Sequence, residues 1–212
     1  MIFPAEIWRL IFANLSPHSL TQCARASKHL NIFATYSLYT SPVLPTAQQF
    51  HTFAERLTTK NAALIEVLDF SNTASRWSLV YQKQLIEIIP KCCSIRHLDL
   101  DICTDLRDDG LEIILKTIGS NLKFLSLCSC NRIMDAGINS IANYCTNLRV
   151  LNLSGTNGCD DVFLLVTARN PNLESVNIAY CPHITEVGVR VEESDVAMPG
   201  PEWETESEDE DI

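Results

Sequence analysis

The chain has 212 residues, 46% of them hydrophobic and 20% charged, an ordinary make-up for a soluble protein with room for one or two domains. It has no apolar stretch of about 18 residues, so no membrane-crossing helix is expected, and residues 1–20, with Pro4, Glu6 and Arg9 early, lack the basic head and apolar block of a secretory signal. The net charge of −10 is local: from Val191 onward there are ten acids and no Lys or Arg, whereas the 16 acids before it match 16 bases, leaving no electrostatic footprint for nucleic acid.

Residues 2–40 read as helices. Pro4 suits a first helical turn, where its missing N–H is not needed, and this helix is expected to run to about Leu15. Ser16-Pro17 is a cap followed by Pro at the first position of a second helix, and a third is expected from near Ser27. On a helical wheel Ile7, Trp8, Leu10, Ile11, Phe12 and Leu15 cover an arc of roughly 200°, leaving Glu6, Arg9 and Ala13 to water. A segment of about 40 residues buries too little to stand alone. Part of that arc must meet something else, either the rest of the chain or a separate protein.

The stretch Phe3-Pro4-Ala5-Glu6-Ile7, then Ile11-Phe12, Leu15-Ser16, Leu20 and Ala26-Ser27-Lys28 resembles an F-box, with Phe3 in place of the usual Leu and Leu30 where Trp is common. The resemblance implies binding to the Skp-family adaptor, and through it a cullin, of a Skp–cullin–F-box (SCF) ubiquitin ligase. Phe3, Pro4, Ile7, Trp8, Ile11, Phe12, Leu15 and Leu20 are the implied adaptor-facing residues.

Residues 41–63 come next. Ser41 to Pro45 is a stiff extended piece. Thr46 to about Thr58 reads as a helix with Phe50, Phe53 and Leu57 on one face, expected to cover the open first turn of the periodic region after residue 63. Trp77 is expected to serve local packing, and Lys83, Glu87 and Lys91 to form a solvated helix face.

In that region the chain repeats. Ile95 to Leu100, Leu122 to Leu127, Leu148 to Leu153 and Leu173 to Ile178 each run apolar-x-x-apolar-x-apolar, with starts 27, 26 and 25 residues apart. Eight residues after each start stand Cys103, Cys130, Thr156 and Cys181. Thirteen after stand Asp108, Asp135, Asp161 and Glu186, acids suited to receive the free N–H groups of a helix start. Sixteen after stand Leu111, Ile138, Leu164 and Val189, with Gly110, Gly137 and Gly188 just before three of them, and Phe163 in the third. Ile65, Leu68, Phe70 and Thr73 form a fainter copy, giving about five turns over residues 64–190.

These offsets resemble the leucine-rich repeat family in its cysteine-containing subclass. The implied fold class is α/β: a short three-helix F-box (1–40), a linker and capping helix (41–63), then a right-handed solenoid with parallel strands on its concave side and helices on its convex side (64–190). The concave positions are Asp99, Asp101, Ser126, Cys128, Asn152, Ser154, Asn177 and Ala179, the expected surface for a protein target. Low hydrophobicity and one sign of charge make residues 191–212 an expected disordered tail.

The nine cysteines fit small buried thiols of a reducing compartment better than zinc or disulfides, because residues at a fixed repeat offset stack along the array and do not converge on one ion. Cys128 and Cys130 lack paired C-x-x-C spacing. Neither the five histidines nor the seven glycines suggest a catalytic triad or a phosphate loop, and no cofactor or enzyme activity is expected. The combined expectation is an intracellular (cytoplasmic or nuclear) substrate receptor that delivers its target for proteasomal degradation. A repeat scaffold with residues 1–60 as a mere cap is the alternative.

Overall fold

The computed structural model describes residues 4–185. Phe3, Glu186, Gly188, Val189 and the acidic tail, all of which carry sequence expectations, lie outside them. The described residues form two hydrophobic cores. The first belongs to a three-helix head: α1 (Ala5–Ala13), α2 (Pro17–Ala26) and α3 (Lys28–Thr40). α1 ends two residues short of Leu15. The other two helices start where their caps dictate: the Ser16 hydroxyl accepts the Ser19 N–H at 3.2 Å, and the Ser27 hydroxyl accepts that of Leu30 at 3.1 Å. Among the described residues Phe12, Leu20 and Ala34 make this core, ringed by half-buried Trp8, Leu15, Cys23, Leu30 and Phe33.

The second core begins after a strap. α4 (Ala47–Arg56), capped by Thr46, and a short α5 (Thr59–Ala62) lead into β1 (Val67–Asp69). Phe50 packs edge-on against Phe70 at 4.9 Å, and the Thr73 hydroxyl donates to the Leu44 carbonyl at 2.7 Å, so the strap is joined to the first strand unit. Then come the short α6 (Arg76–Leu79), α7 (Gln82–Ile88), β2 (His97–Asp99), α8 (Asp108–Ile118), β3 (Phe124–Ser126), α9 (Asp135–Tyr144), β4 (Val150–Asn152), α10 (Asp160–Arg169) and β5 (Ser175–Asn177). The strands form one parallel sheet in sequential order, with Leu68, Leu98, Leu125, Leu151 and Val176 in register. α7, α8, α9 and α10 follow one another in contact.

The three-residue strands arise because only the middle of each apolar-x-x-apolar-x-apolar stretch is extended before the chain must turn. Its apolar members point inward: Leu98, Leu100, Leu125, Leu127, Leu151 and Leu153 are wholly buried, and burying each such side chain contributes about 1.5–3 kcal/mol. The stack loses cover at its far side, where Leu173, Val176 and Ile178 are half-buried.

Three details differ from the sequence expectation. The acids at the helix starts do not cap their own helices. Asp108 Oδ1 accepts the Met134 N–H, Asp135 Oδ1 that of Cys159, and Asp160 Oδ1 that of Thr185, each at 2.8 Å and each across to the following unit. Met134 and Cys159 stand just before α9 and α10, where the turn leaves the N–H without a helical partner and the preceding unit's carboxylate is the acceptor within reach. This places Gly137 too: a Cβ there would lie 2.5 Å from Asp108 Oδ1.

In the third repeat the helix starts one residue earlier than the offsets imply. Asp160 takes the role assigned to Asp161, Val162 stands at the glycine position, and Phe163 is buried while Leu164 is 42% exposed. Finally, Trp77 lies on α6 and is 54% exposed, so it does not fill the local packing role expected of it.

Among the described residues no helix is long and apolar enough to cross a membrane, no group of His, Cys, Asp and Glu is arranged to hold a metal ion, and all nine cysteines are free thiols. Burial pushes the thiols of Cys92, Cys103 and Cys145 up to about 12, and raises that of Cys130 well above its usual range. The Cys130 and Cys181 thiols donate to the Leu100 and Leu153 carbonyls at 3.2 and 3.1 Å. Thr156, the departure from the cysteine pattern, donates its hydroxyl to Leu153 at 2.7 Å, a small buried donor of the same kind.

Candidate functional site

Two surfaces stand out. The first is on α1, whose apolar arc divides in two. Phe12 and Leu20, expected at the outer surface, form the head's interior instead: a core this small needs them, and they are 2% and 5% exposed. Trp8 and Leu15 are half-buried, with Trp8 stacked on Phe33 at 5.9 Å and edge-on to Phe12 at 5.9 Å. Ile7, Leu10 and Ile11 remain outside at 40%, 64% and 41%, beside exposed Pro4. Three large aliphatic side chains on two turns of one helix, open to water, make an apolar ridge that none of the described residues covers.

Arg9 does not simply face solvent. Its guanidinium lies 4.7 Å over the Tyr36 ring, a cation–π contact that fixes α1 on α3. Behind the ridge an apolar cleft of about 920 Å³ opens between α1, α3 and the strap, lined by residues including Leu10, Leu15, Leu38, Val43 and Phe53.

The second surface is the outer face of the sheet. The expected residues do not all reach it. Asp99, Ser126 and Ser154 are buried at 8%, 1% and 6% exposure because they serve the turn that ends each strand. Asp69 Oδ1 accepts the Ser71 N–H, Asp99 that of Asp101, Asn152 that of Ser154 and Asn177 that of Ala179, at 2.7–3.1 Å. Side chains that bond to the backbone two residues on are a common way to close a turn. At Ser126 the hydroxyl is too short for this. Asp101 of the preceding unit fills the gap: its Oδ1 accepts the Cys128 N–H at 3.0 Å and also the Ser126 hydroxyl. Asp101, Cys128, Asn152 and Asn177 are half-buried and Ala179 is exposed.

Burial of Asp99 holds its carboxyl up at about 6; the Asp101 N–H and Arg76 oppose that rise, and the charges of Asp101 and Asp69 add to it.

Sequence reasoning missed the middle row of this face. Val67, His97, Phe124, Val150 and Ser175 are aligned across the five strands and are all half-buried. The His97 and Phe124 rings stack at 3.8 Å with 2° between their planes. The signal was present: these residues stand two positions after each repeat start, on the same side as Asp99 and Ser126 by strand alternation.

The comparisons with known proteins bear on the head first. The F-box domain model matches residues 2–39, so the three helices carry an F-box domain. The chain is 40% identical over 89 residues to F-box/LRR-repeat protein 12 of Arabidopsis thaliana; the match covers 42% of this chain and 22% of that protein. The chain thus spans under a quarter of that relative's length. Among solved structures, the crystal structure of the Rad7 and Elc1 complex in yeast covers 54% of this chain and 43% of that one, at 17% identity and a TM-score of 0.34, a likeness too slight to support any inference.

Proposed function

We propose that this chain is the substrate-recognition subunit of an SCF-type ubiquitin ligase, in which the head holds a Skp-family adaptor, and through it a cullin, while the repeats hold the protein to be ubiquitinated and degraded by the proteasome. The observation that carries the reading is the exposed ridge of Ile7, Leu10 and Ile11 on helices that match an F-box domain. On this reading residues 1–40 are the docking head, 41–63 the linker and cap, 64–190 a right-handed leucine-rich-repeat solenoid with its sheet on the concave side, and 191–212 an acidic tail. Pro4, Ile7, Trp8, Ile11 and Leu15 face the adaptor together with Phe3 and Leu10, while Phe12 and Leu20 keep the head in shape. Asp101, Cys128, Asn152, Asn177 and the row of His97, Phe124 and Val150 face the target. The protein works in the cytoplasm or nucleus, where its thiols stay reduced.

The chain makes no bond itself. Holding a target beside the ubiquitin-loaded enzyme converts an encounter into a reaction at high effective concentration. The test is capture of the adaptor by the purified chain. The Ile7→Glu/Ile11→Glu pair should reduce capture at least a hundredfold while leaving thermal unfolding of the repeats unchanged; capture that survives it overturns the reading. The alternative, a repeat scaffold with the head as its cap, predicts that deleting residues 1–40 melts the stack. The two separate cores argue against this, because the head shares little interior with the repeats.

A further inference from the structure

The margin of the sheet where the strands begin and the outer face beyond it differ in charge. Arg96, Lys123 and Arg149 are exposed just before β2, β3 and β4, and Arg149 pairs with Glu174 at 3.2 Å. About 10 Å along the strands, at three residues of rise, the chemistry reverses. Asp69 and Asp99 are in register on β1 and β2, with Asp101 two residues beyond.

Each of these three carboxylates commits Oδ1 to a turn N–H, and its second oxygen takes no hydrogen bond among the described residues. Asp99 is only 8% exposed, so its unbonded oxygen gets little compensation from water. The nearby cation, Arg76, is already engaged: its Nε donates to the Asp101 carbonyl at 2.6 Å and Nη1 to the Thr73 carbonyl at 3.2 Å. None of the residues 67–71, 97–101, 124–128, 150–154 and 175–179 is Lys or Arg. Beside the carboxylates lies the His97–Phe124 ring stack, half open to solvent. Burial also lowers the His97 pKa, against the opposing charge of Asp69.

We propose that this corner seats a Lys or Arg side chain of an extended basic segment of the captured protein, the aliphatic stem lying on the His97–Phe124 rings and the charged head against Asp69, Asp99 and Asp101. The inference rests on the reading of the sheet face as the target-holding surface, and it gives that target a chemistry. An aromatic platform beside carboxylates is what a cation with an apolar stem recognises, through stacking, cation–π attraction and charge together. A phosphorylated or acidic segment would meet three carboxylates here and be repelled.

The probe is the peptide acetyl-Gly-Arg-Leu-Arg-Gly-amide, titrated into the full chain and followed by NMR at the His97 ring and the Asp101 and Cys128 amides. The control peptide carries citrulline for arginine, keeping shape without charge, and a phosphoserine–glutamate peptide probes the opposite chemistry. The arginine peptide should shift these resonances at concentrations at least fivefold below either control. Asp69→Asn/Asp101→Asn, which keeps the turn acceptors, should weaken binding at least fivefold. Phe124→Leu should weaken it two- to threefold, and Glu208→Gln/Glu210→Gln in the tail less than 1.5-fold. Equal binding of citrulline, tighter binding of the phosphopeptide, shifts centred elsewhere, or a larger loss from the tail pair than from the Asp pair would each overturn the proposal. Should the Asp pair fail to fold, Phe124→Leu and single Asp69→Asn decide. Adaptor capture is measured on the same samples. Its absence with peptide binding intact overturns the docking role of the head alone, and peptide loss with capture intact overturns this inference alone.

Discussion

The head and the repeat stack solve the same problem with very different resources. The head closes over three buried residues and leaves Ile7, Leu10 and Ile11 in water. The stack extends one continuous core from Leu44 to Val166, and each unit covers the next through apolar layers and inter-unit hydrogen bonds. A helix bundle of about 36 residues has too much surface for its volume, whereas a repeat unit borrows its missing cover from its neighbours. The difference teaches where each part's apolar surface is to be satisfied: in the stack by the chain itself, in the head, on the proposed function, by a partner.

The sharpest way to break this contrast is to cut each core at its centre. Leu125→Ala, in the middle of the sheet and wholly buried, should lower the stability of the whole stack by about 3 kcal/mol, read by denaturant unfolding. Phe12→Ala should cost a similar amount, about 3 kcal/mol, but only locally. Hydrogen exchange should then speed in residues 5–40 and stay unchanged at Leu98, Leu125 and Leu151. If the strand amides respond too, the two cores are one cooperative unit and the contrast fails.

Asp99 gives a smaller, pH-dependent effect. Its folded pKa of about 6 lies above the unfolded value of 3.8, so the folded state favours the protonated carboxyl. The folded state is penalised for the charge above about pH 6, and the penalty disappears as pH falls below about 4. Asp99→Asn should therefore stabilise the protein by about 1 kcal/mol at pH 7.5, after allowing for solvent screening at the sheet margin, and make no difference near pH 4. The charges of Asp69, Asp101 and Arg76 shape the curve. A melting-temperature series of both proteins from pH 4 to 8 checks the sign.

Smaller still is the effect of the turn after β5. Ile102, Ser129, Gly155 and Tyr180 all sit seven residues after their repeat starts with φ between 58° and 71°, a conformation that disfavours side chains. Tyr180 is 90% exposed and has little packing to lose. Tyr180→Gly should raise stability by about 0.5 kcal/mol, the relief of strain less the entropy of glycine. Least disruptive is thiol titration of the native protein: exposed Cys93 should react first, and buried Cys92, Cys103, Cys130 and Cys145 only on unfolding.

The sequence by itself determined the periodic parts. Inward leucines, the buried cysteine row, the helix caps at Ser16, Ser27 and Thr46, and the order of helices before strands are all set by local rules: alternation, fixed offsets, and hydroxyls placed to receive free N–H groups. Tertiary structure alone decided what depends on a neighbour. The acids at the helix starts bond forward to the next unit, which no single repeat can reveal. Ser126 is buried because Asp101 reaches across to it. Phe12 and Leu20 turned inward because a core of three residues cannot spare them, although a helical wheel treats Phe12 like Ile7 and Ile11. The helix of the third repeat, α10, starts one residue early and buries Phe163 while Leu164 stays exposed. A periodic pattern tells which side chains are apolar and how often they recur. Which of them the chain can cover is decided only when the surfaces meet.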